Sequence, residues 1–243
     1  MKVTHLPVIA CSLLVLGGCG GSKAPVSGAP TTGTHTEVQS DEHVASNVRI
    51  VQSRLIYLPD QTGGNFHTAL ILLRNDSDET VLEFAAQLSI LDKGGRLVKS
   101  VDPFMPSMRP HEEALIVQDA IDLPKALPDG RLKLTYEVTR TAAPVASPVT
   151  FSNVRYKRDS IVGCSITGNV ANQFTQRKEN LLVRVAGFVG SDLVTGGYAY
   201  VDTVFPKTDA TFDINLFSRA ECPPRLDRIE VLPNLSEDKL YNP

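Results

Sequence analysis

The chain has 243 residues, of which 24 are Lys or Arg and 27 are Asp or Glu, so its formal net charge at pH 7 is −3. It contains no block of basic residues, which argues against nucleic acid as a partner. Tryptophan is absent and aromatic residues make up 6% of the chain, which weighs against a ligand groove lined by aromatic rings. The length suits one large domain or two small ones.

The first 18 residues have the features of a secretory signal. One positive charge, at Lys2, precedes an apolar run from Leu6 to Leu16. This run is shorter than the roughly 20 apolar residues that a transmembrane helix needs. A short positive region, a compact apolar region and a small-residue exit together describe a signal peptide. We therefore predict that residues 1–18 are removed.

The sequence Leu16-Gly17-Gly18-Cys19 resembles the lipobox of bacterial lipoproteins. In that family the cysteine thiol is alkylated with diacylglycerol, the signal is cut before the cysteine, and the new amine is usually acylated. The resemblance implies that Cys19 is lipidated and that two or three acyl chains anchor the chain firmly in a membrane. Gly20, not Asp, follows the cysteine, which in a cell with two membranes favours the periplasmic side of the outer one. The alternative is an ordinary secretory signal that is cut near a cysteine.

Residues 19–46 are predicted to form a flexible tether. They are rich in Gly, Ser, Thr, Ala and Pro and show no apolar periodicity, which is typical of a linker. His35 and His43 are dispersed in this segment, and we expect both to be solvated. The tether would hold a folded part away from the membrane.

Beyond the tether, the pattern indicates short β-strands. In VLEFAAQLSIL, apolar residues from Leu82 to Ile90 alternate with more polar ones, which is the period-two signature of a half-buried strand. Further apolar segments are separated by turn signals such as Asp92-Lys93-Gly94-Gly95. No long stretch holds a helical period, so the sequence predicts an all-β protein.

The strand pattern occurs twice. The segment Ala69–Asn75 leads into the alternating strand, and Ile166–Asn172 does the same at a nearly constant offset. The sequence thus predicts two tandem β-sandwich domains, each of a size typical of one sandwich. The predicted domains are residues 47–141 and 149–236, with a linker at 142–148 and a C-terminal tail at 237–243.

Each unit resembles the FxLYD-type and related immunoglobulin-like β-sandwich modules of bacterial surface lipoproteins. Leu88-Ser89-Ile90-Leu91-Asp92 stands where F-x-L-Y-D would be and keeps the apolar spacing and the Asp. The first unit has neither aromatic residue of that motif, and in the second unit Val185-Ala186-Gly187-Phe188-Val189 lacks the Asp as well. The resemblance implies two immunoglobulin-like sandwiches of a type that is mostly non-catalytic.

The cysteines indicate a disulfide. The lipobox resemblance implies that Cys11 is removed with the signal and that Cys19 carries lipid, which would leave Cys164 and Cys222 in a compartment that permits disulfides. Their spacing is too wide for a CxxC metal or redox motif. We predict a structural disulfide that stabilises by about 4 kcal/mol; the alternative is two free thiols or a redox pair.

No catalytic, cofactor or metal site is predicted. The sequence has no G-x-S-x-G, P-loop or G-x-G-x-x-G pattern. The histidines of the folded part are His67 and His111. We expect His111, which lies beside Glu112, to be in a solvated turn rather than to act as a catalytic base. The acidic run from Asp76 to Glu79 lacks the spacing and glycine of an EF-hand. Gly94-Gly95 and Gly196-Gly197 are interpreted as turn and strand-edge glycines. Paired carboxylates for glycoside hydrolysis cannot be picked out of 27 acidic residues.

These observations favour a non-catalytic, membrane-anchored lipoprotein of the cell envelope that binds or supports a protein or glycan partner. Sandwich edges and end loops would make the contacts, and Tyr198 and Tyr200, on one face of a strand, are a candidate surface. One alternative is an envelope enzyme, a carboxylate-dependent hydrolase with an unrecognised site. A transporter's solute-binding protein is another, but the chain is short for that class and lacks alternating strands and helices.

Overall fold

The computed structural model describes residues 47–59, 65–147, 149–159, 163–217 and 222–234, which contain no helix. Twelve strands form because apolar and β-branched residues recur between turn signals. Their bounds are β1 Val48–Pro59, β2 Asn65–Asn75, β3 Thr80–Leu91, β4 Leu97–Val101, β5 Glu113–Asp122, β6 Arg131–Ala142, β7 Val149–Asp159, β8 Gly163–Asn172, β9 Lys178–Val189, β10 Asp192–Val204, β11 Asp209–Asn215 and β12 Arg228–Asn234. The prediction of an all-β protein is confirmed.

The strands form four antiparallel sheets of three strands each. The first six strands make the sheets β4-β3-β6 and β1-β2-β5. The last six make the sheets β10-β9-β12 and β11-β8-β7. Strand for strand, the second six repeat the pairing of the first six, so the repeat found in the sequence is also a repeat of topology.

Each pair of sheets encloses its own apolar core, which makes two β-sandwiches. The first core includes Ile71 and Ile116 from one sheet and Leu88 from the other, all fully buried. The second core includes Ile166 and Val183, which come from opposite sheets. The alternation predicted for β3 is confirmed, because Leu88 and Ile90 are buried while Glu83, Ala85 and Gln87 are exposed.

A third core lies between the two sandwiches, where sheet β1-β2-β5 packs on sheet β10-β9-β12. The first sandwich and the second both contribute buried side chains to this junction: Ile56, Leu70, Leu72, Leu115, Val117, Ala186, Phe188, Leu193 and Leu232. The two inner sheets are therefore apolar on both faces. The folded part is one compact unit.

This stacking explains a difference between equivalent strands. β2 and β8 hold the same place in the repeat, yet β2 is an almost continuous apolar run and β8 alternates in burial residue by residue. Likewise β9 is buried along most of its length, whereas β3 alternates. A strand covered on both faces requires apolar residues on both, while an outer strand keeps one polar face towards water. The outer sheets, β4-β3-β6 and β11-β8-β7, therefore each keep a more polar face towards water.

Two asparagines at equivalent places in the repeat are buried and make equivalent hydrogen bonds. The side-chain amide of Asn75 donates to the carbonyl oxygens of Glu79, at 2.8 Å, and of Arg109, at 3.0 Å. Asn172 donates in the same way to Gln176 at 2.8 Å and Val204 at 2.9 Å. Each asparagine thus satisfies buried carbonyls of the turn that follows its strand and of a neighbouring segment, a task that an apolar residue could not perform.

The predicted disulfide between Cys164 and Cys222 is present, with a Cα–Cα distance of 5.7 Å. Cys164 lies at the start of β8 and Cys222 lies shortly before β12. The bridge therefore ties an early strand of the second sandwich to the segment that leads into its last strand. Beside it, the Tyr156 hydroxyl donates to the carbonyl oxygen of Pro223 at 2.5 Å.

Several predictions concern residues outside the described ranges. These are the signal at 1–18, the lipidation of Cys19, the tether at 19–46 and the tail at 237–243. The described residues contain no helix that is long and apolar enough to cross a membrane. Near the predicted linker, β6 ends at Ala142 and β7 begins at Val149.

Candidate functional site

Polar contacts fix the two sandwiches against each other at one end of the junction. The Gln52 side chain donates to the Ser191 carbonyl and accepts from the Leu193 backbone N–H, both at 2.6 Å. Arg54 adds a bond from Nη1 to the Leu193 carbonyl at 3.0 Å. One glutamine amide can both donate and accept, so Gln52 matches the polar groups of the turn between β9 and β10.

A glycine allows the sheets to approach closely. A Cβ added at Gly196 in β10 would lie 3.1 Å from Leu115 and 3.2 Å from Leu70, both in the first sandwich. Such contacts are tighter than normal van der Waals packing. Gly196 therefore has a packing role at the junction. Gly196 and Gly197 lie in β10, an outer strand of its sheet, as predicted.

The predicted contact surface at Tyr198 and Tyr200 lies at this junction. Tyr198 is half-buried and its hydroxyl donates to the Asp119 carboxylate in β5 at 2.9 Å. Tyr200 is 61% exposed, and the two rings meet edge to face with centroids 6.3 Å apart. One tyrosine thus joins the sandwiches, and the other projects into solvent.

Arg184 lies beneath these tyrosines. It is the cross-strand neighbour of Tyr198, and only 3% of it is exposed. Its guanidinium carbon lies 5.5 Å from the ring centroid of Phe104, which is 59% exposed on the segment between β4 and β5. We call Phe104, Asp119, Arg184, Tyr198 and Tyr200 the Arg184 cluster.

The Arg184 guanidinium has no counter-ion within the described ranges. Its Nε and Nη1 atoms are buried without a hydrogen-bond partner. Burial lowers its pKa to about 10, with Tyr200 and Tyr198 opposing the shift, so the group remains cationic at pH 7. Burial also raises the pKa of Tyr198, and Asp119 adds to that rise. A cation is thus held in a poorly solvated place, where an unpaired charge is costly.

The junction also contains two carboxyl groups that contact each other. Glu230 of β12 faces Glu113 of β5, and it also pairs with Arg228. Arg74 Nη1 lies 3.7 Å from Glu113 on the other side. Burial raises the pKa of Glu230, and the neighbouring Glu113 raises it further. Carboxyl groups in direct contact leave no room for a sugar between them, unlike the separated pair of a glycosidase.

Replacing Glu230 with Gln is expected to change how stability depends on pH. Because the folded pKa is raised, the folded state binds more protons than the unfolded state between the ordinary pKa near 4.5 and the raised value. Stability therefore falls as pH rises through this window, and Glu230→Gln removes that fall. Urea unfolding at pH 4 and pH 7.5 should show the variant gaining on the wild type at the higher pH. Glu137→Gln, at an exposed position of β6, should show no such gain, and equal behaviour of the two variants would contradict this interpretation.

The two histidines of the folded part have structural surroundings. His67 is fully buried; Nδ1–H donates to Asn65 O at 2.9 Å and Nε2 accepts the Leu127 N–H at 3.0 Å. Burial lowers its pKa, so it stays neutral at pH 7. His111 lies in a turn with φ of 57° and contacts Asp78 at 3.1 Å, on the surface.

The acidic turn after β2 is occupied by arginines. Asp76 accepts from Nε of Arg49 at 2.6 Å and from Nε of Arg74 at 2.8 Å. The Arg49 bond is the main cause of the lowered pKa of Asp76. Across the described ranges, no group of three or more His, Cys, Asp or Glu side chains is arranged to hold a metal ion.

Sequence reasoning found the two tyrosines of the cluster and missed the other three residues. Arg184 had a readable signal, because it is the charged residue inside the apolar run LLVRVAGFV. Phe104 and Asp119 come from the other sandwich and had none, since nothing in the sequence tells which faces of two domains meet. No protein-family model matches the chain, and no curated protein shows significant similarity to it.

Proposed function

We propose that this chain is a non-catalytic, membrane-anchored lipoprotein of the bacterial cell envelope, which binds an envelope protein or glycan partner through the Arg184 cluster. The lipobox-like Leu16-Gly17-Gly18-Cys19 supports the anchor, and the tether-like segment 19–46 supports a folded part held away from the membrane. The resemblance of each unit to immunoglobulin-like FxLYD modules supports a non-catalytic role.

The observation that carries the proposal is the unpaired Arg184 guanidinium beside two exposed aromatic rings. Arginine and tyrosine are enriched among the residues that dominate binding energy at protein interfaces. Phe104 and Tyr200 are more than half exposed, although large aromatic side chains normally gain stability by burial. A surface of this kind lowers its free energy when a partner covers it.

Photocrosslinking in the native cell tests this proposal. A photoreactive phenylalanine analogue at position 200 should give discrete adducts, because Tyr200 is at the edge of the cluster. The matched control is position 97, where Leu97 is 57% exposed on the outer sheet of the first sandwich. Adducts should form at position 200 and not at position 97. The Cys19→Ser variant should lose its membrane association, and with it the adducts at position 200.

Two results would contradict the proposal. Equal adduct patterns at positions 200 and 97 would show that the cluster is not the contact surface. Wild-type protein that fractionates as soluble would show that Cys19 does not carry a lipid.

A further inference from the structure

The Arg184 guanidinium is the strongest unsatisfied group at the junction. A guanidinium has five N–H donors, and in this chain two of its three nitrogen atoms are enclosed without an acceptor. A buried donor without a hydrogen-bond acceptor costs about 1–3 kcal/mol of stability, and more when the donor group is charged. The face of Phe104 offsets part of this cost through cation–π attraction, which is worth about 0.5–2 kcal/mol. The ring supplies no hydrogen-bond acceptor for Nε and Nη1.

We propose that the Arg184 cluster binds a carboxylate side chain of a partner protein, with an adjacent apolar side chain of the same peptide packed on Phe104 and Tyr200. This inference rests on the proposed function and names the chemistry of the partner. A carboxylate matches the guanidinium fork, since two parallel charge-assisted hydrogen bonds form at once. It also neutralises the buried cation, which no described residue does.

The nearby Asp119 selects the charge of the ligand. Its carboxylate is held in place by the Tyr198 hydroxyl at 2.9 Å and repels anions that enter the cluster. The repulsion on a dianionic phosphate is about twice that on a carboxylate, because Coulomb energy scales with charge. The attraction to Arg184 doubles as well, but the cost of taking an anion out of water rises with the square of its charge, so a single negative charge is the better match for Arg184 in this poorly solvated place.

The surroundings favour a peptide over an acidic glycan. The exposed members of the cluster are the rings of Phe104 and Tyr200, which present apolar area. A sugar acid would bring several hydroxyl groups that need partners, and the cluster offers few polar groups besides Arg184 and the tyrosine hydroxyls. A peptide can place one acidic and one apolar side chain side by side and needs nothing more from the site.

Phe104 controls access to the guanidinium. The Arg184 atoms Nε and Nη1 are enclosed, and Phe104 stacks over the group from a segment outside the strands. A carboxylate reaches these atoms when the ring moves aside, and the ring then packs on the incoming apolar side chain. The ring thus covers the site when it is empty and becomes part of the contact when it is filled.

The test is NMR of the chain carrying Cys19→Ser, so that no lipid is attached. The probes are two blocked dipeptides, acetyl-Glu-Phe-amide and acetyl-Gln-Phe-amide, together with phenyl phosphate. The readout is the Arg184 Nε–H cross-peak, identified by its loss in Arg184→Lys. We expect the glutamate probe to shift this peak saturably, and the glutamine probe to bind at least about tenfold more weakly, as expected when a charge-assisted pair is lost.

A variant of Asp119 keeps the test informative if Arg184→Lys does not fold. Asp119→Asn should bring the affinity for phenyl phosphate closer to that for the glutamate probe, because the repelling charge is gone. The proposal is overturned by an unmoved Arg184 peak, by equal shifts with the glutamate and glutamine probes, or by a preference of the wild type for phenyl phosphate. Crosslinking at position 200 can fail while the Arg184 peak moves; that outcome removes the cellular role and leaves the carboxylate site.

Discussion

Removal of the disulfide, by replacing both Cys164 and Cys222 with Ala, is expected to cost roughly 4 kcal/mol of unfolding free energy. The bridge closes a loop with a sequence separation of 58, and a loop of that length restricts the unfolded chain by about this amount in the chain-entropy model. The loss bears on the proposed Arg184 site because Cys222 precedes β12. That strand pairs with β9 next to Arg184, with Leu232 opposite it.

Urea unfolding of the double variant measures this cost. Wild-type protein unfolded in the presence of a reductant is the matched control and should lose a similar amount. A loss below about 1 kcal/mol would show that the bridge does not constrain the unfolded chain as the model requires. Val189 lies on the surface at the end of β9, and Val189→Ala should leave the unfolding midpoint almost unchanged.

Replacing Phe188 with Ala is expected to cost about 3–5 kcal/mol, the range measured for large buried aromatic residues. Phe188 is fully buried in the core between the sandwiches, and the Arg228 guanidinium lies 3.9 Å from its ring centroid. The cavity would open towards Leu70 and Leu72 on the first sandwich, which share this core. The variant should therefore weaken a strand that is remote in sequence.

Two matched variants separate the junction from general destabilisation. Phe205 is 56% exposed, and Phe205→Ala should change stability by no more than about 0.5 kcal/mol. Phe212 is buried in the second sandwich's own core, and Phe212→Ala should destabilise without exposing the first sandwich. Hydrogen exchange in β2 should accelerate more in Phe188→Ala than in Phe212→Ala. Equal acceleration would mean that the sandwiches do not support each other.

The sequence predicted more of the fold than of the site. Alternation in β3 placed Leu88 and Ile90 in a core, and the repeat placed Asn75 and Asn172 at equivalent turns, because these features are local. The stacking of the two sandwiches was missed, although the continuous apolar run of β2 indicates a strand covered on both faces. Which sheet covers it depends on tertiary contacts that no local pattern encodes.

The candidate site shows the same limit. Tyr198 and Tyr200 could be found because they alternate on one strand, and a disulfide could be inferred from the number of cysteines left. Arg184 needed a structure, since a charged residue in an apolar strand is normally paired, and only the packed junction shows that no described residue pairs with it. Its neighbours Phe104 and Asp119 reach it from the other sandwich.

The stability of Arg184→Met is the measurement that tests the carboxylate site most directly. If Arg184 is kept for binding, its uncompensated charge weakens the free protein, and an apolar side chain of similar length should stabilise it by about 1–4 kcal/mol, the gain often found when buried ion pairs are replaced by apolar residues. Arg228→Met is the matched control; it should destabilise, because Arg228 pairs with Glu230 and covers Phe188. A gain in urea unfolding free energy is the predicted result. A loss of about 1 kcal/mol or more, the typical cost of a single destabilising mutation, would show that Arg184 serves the fold. That result would contradict its role as a binding residue.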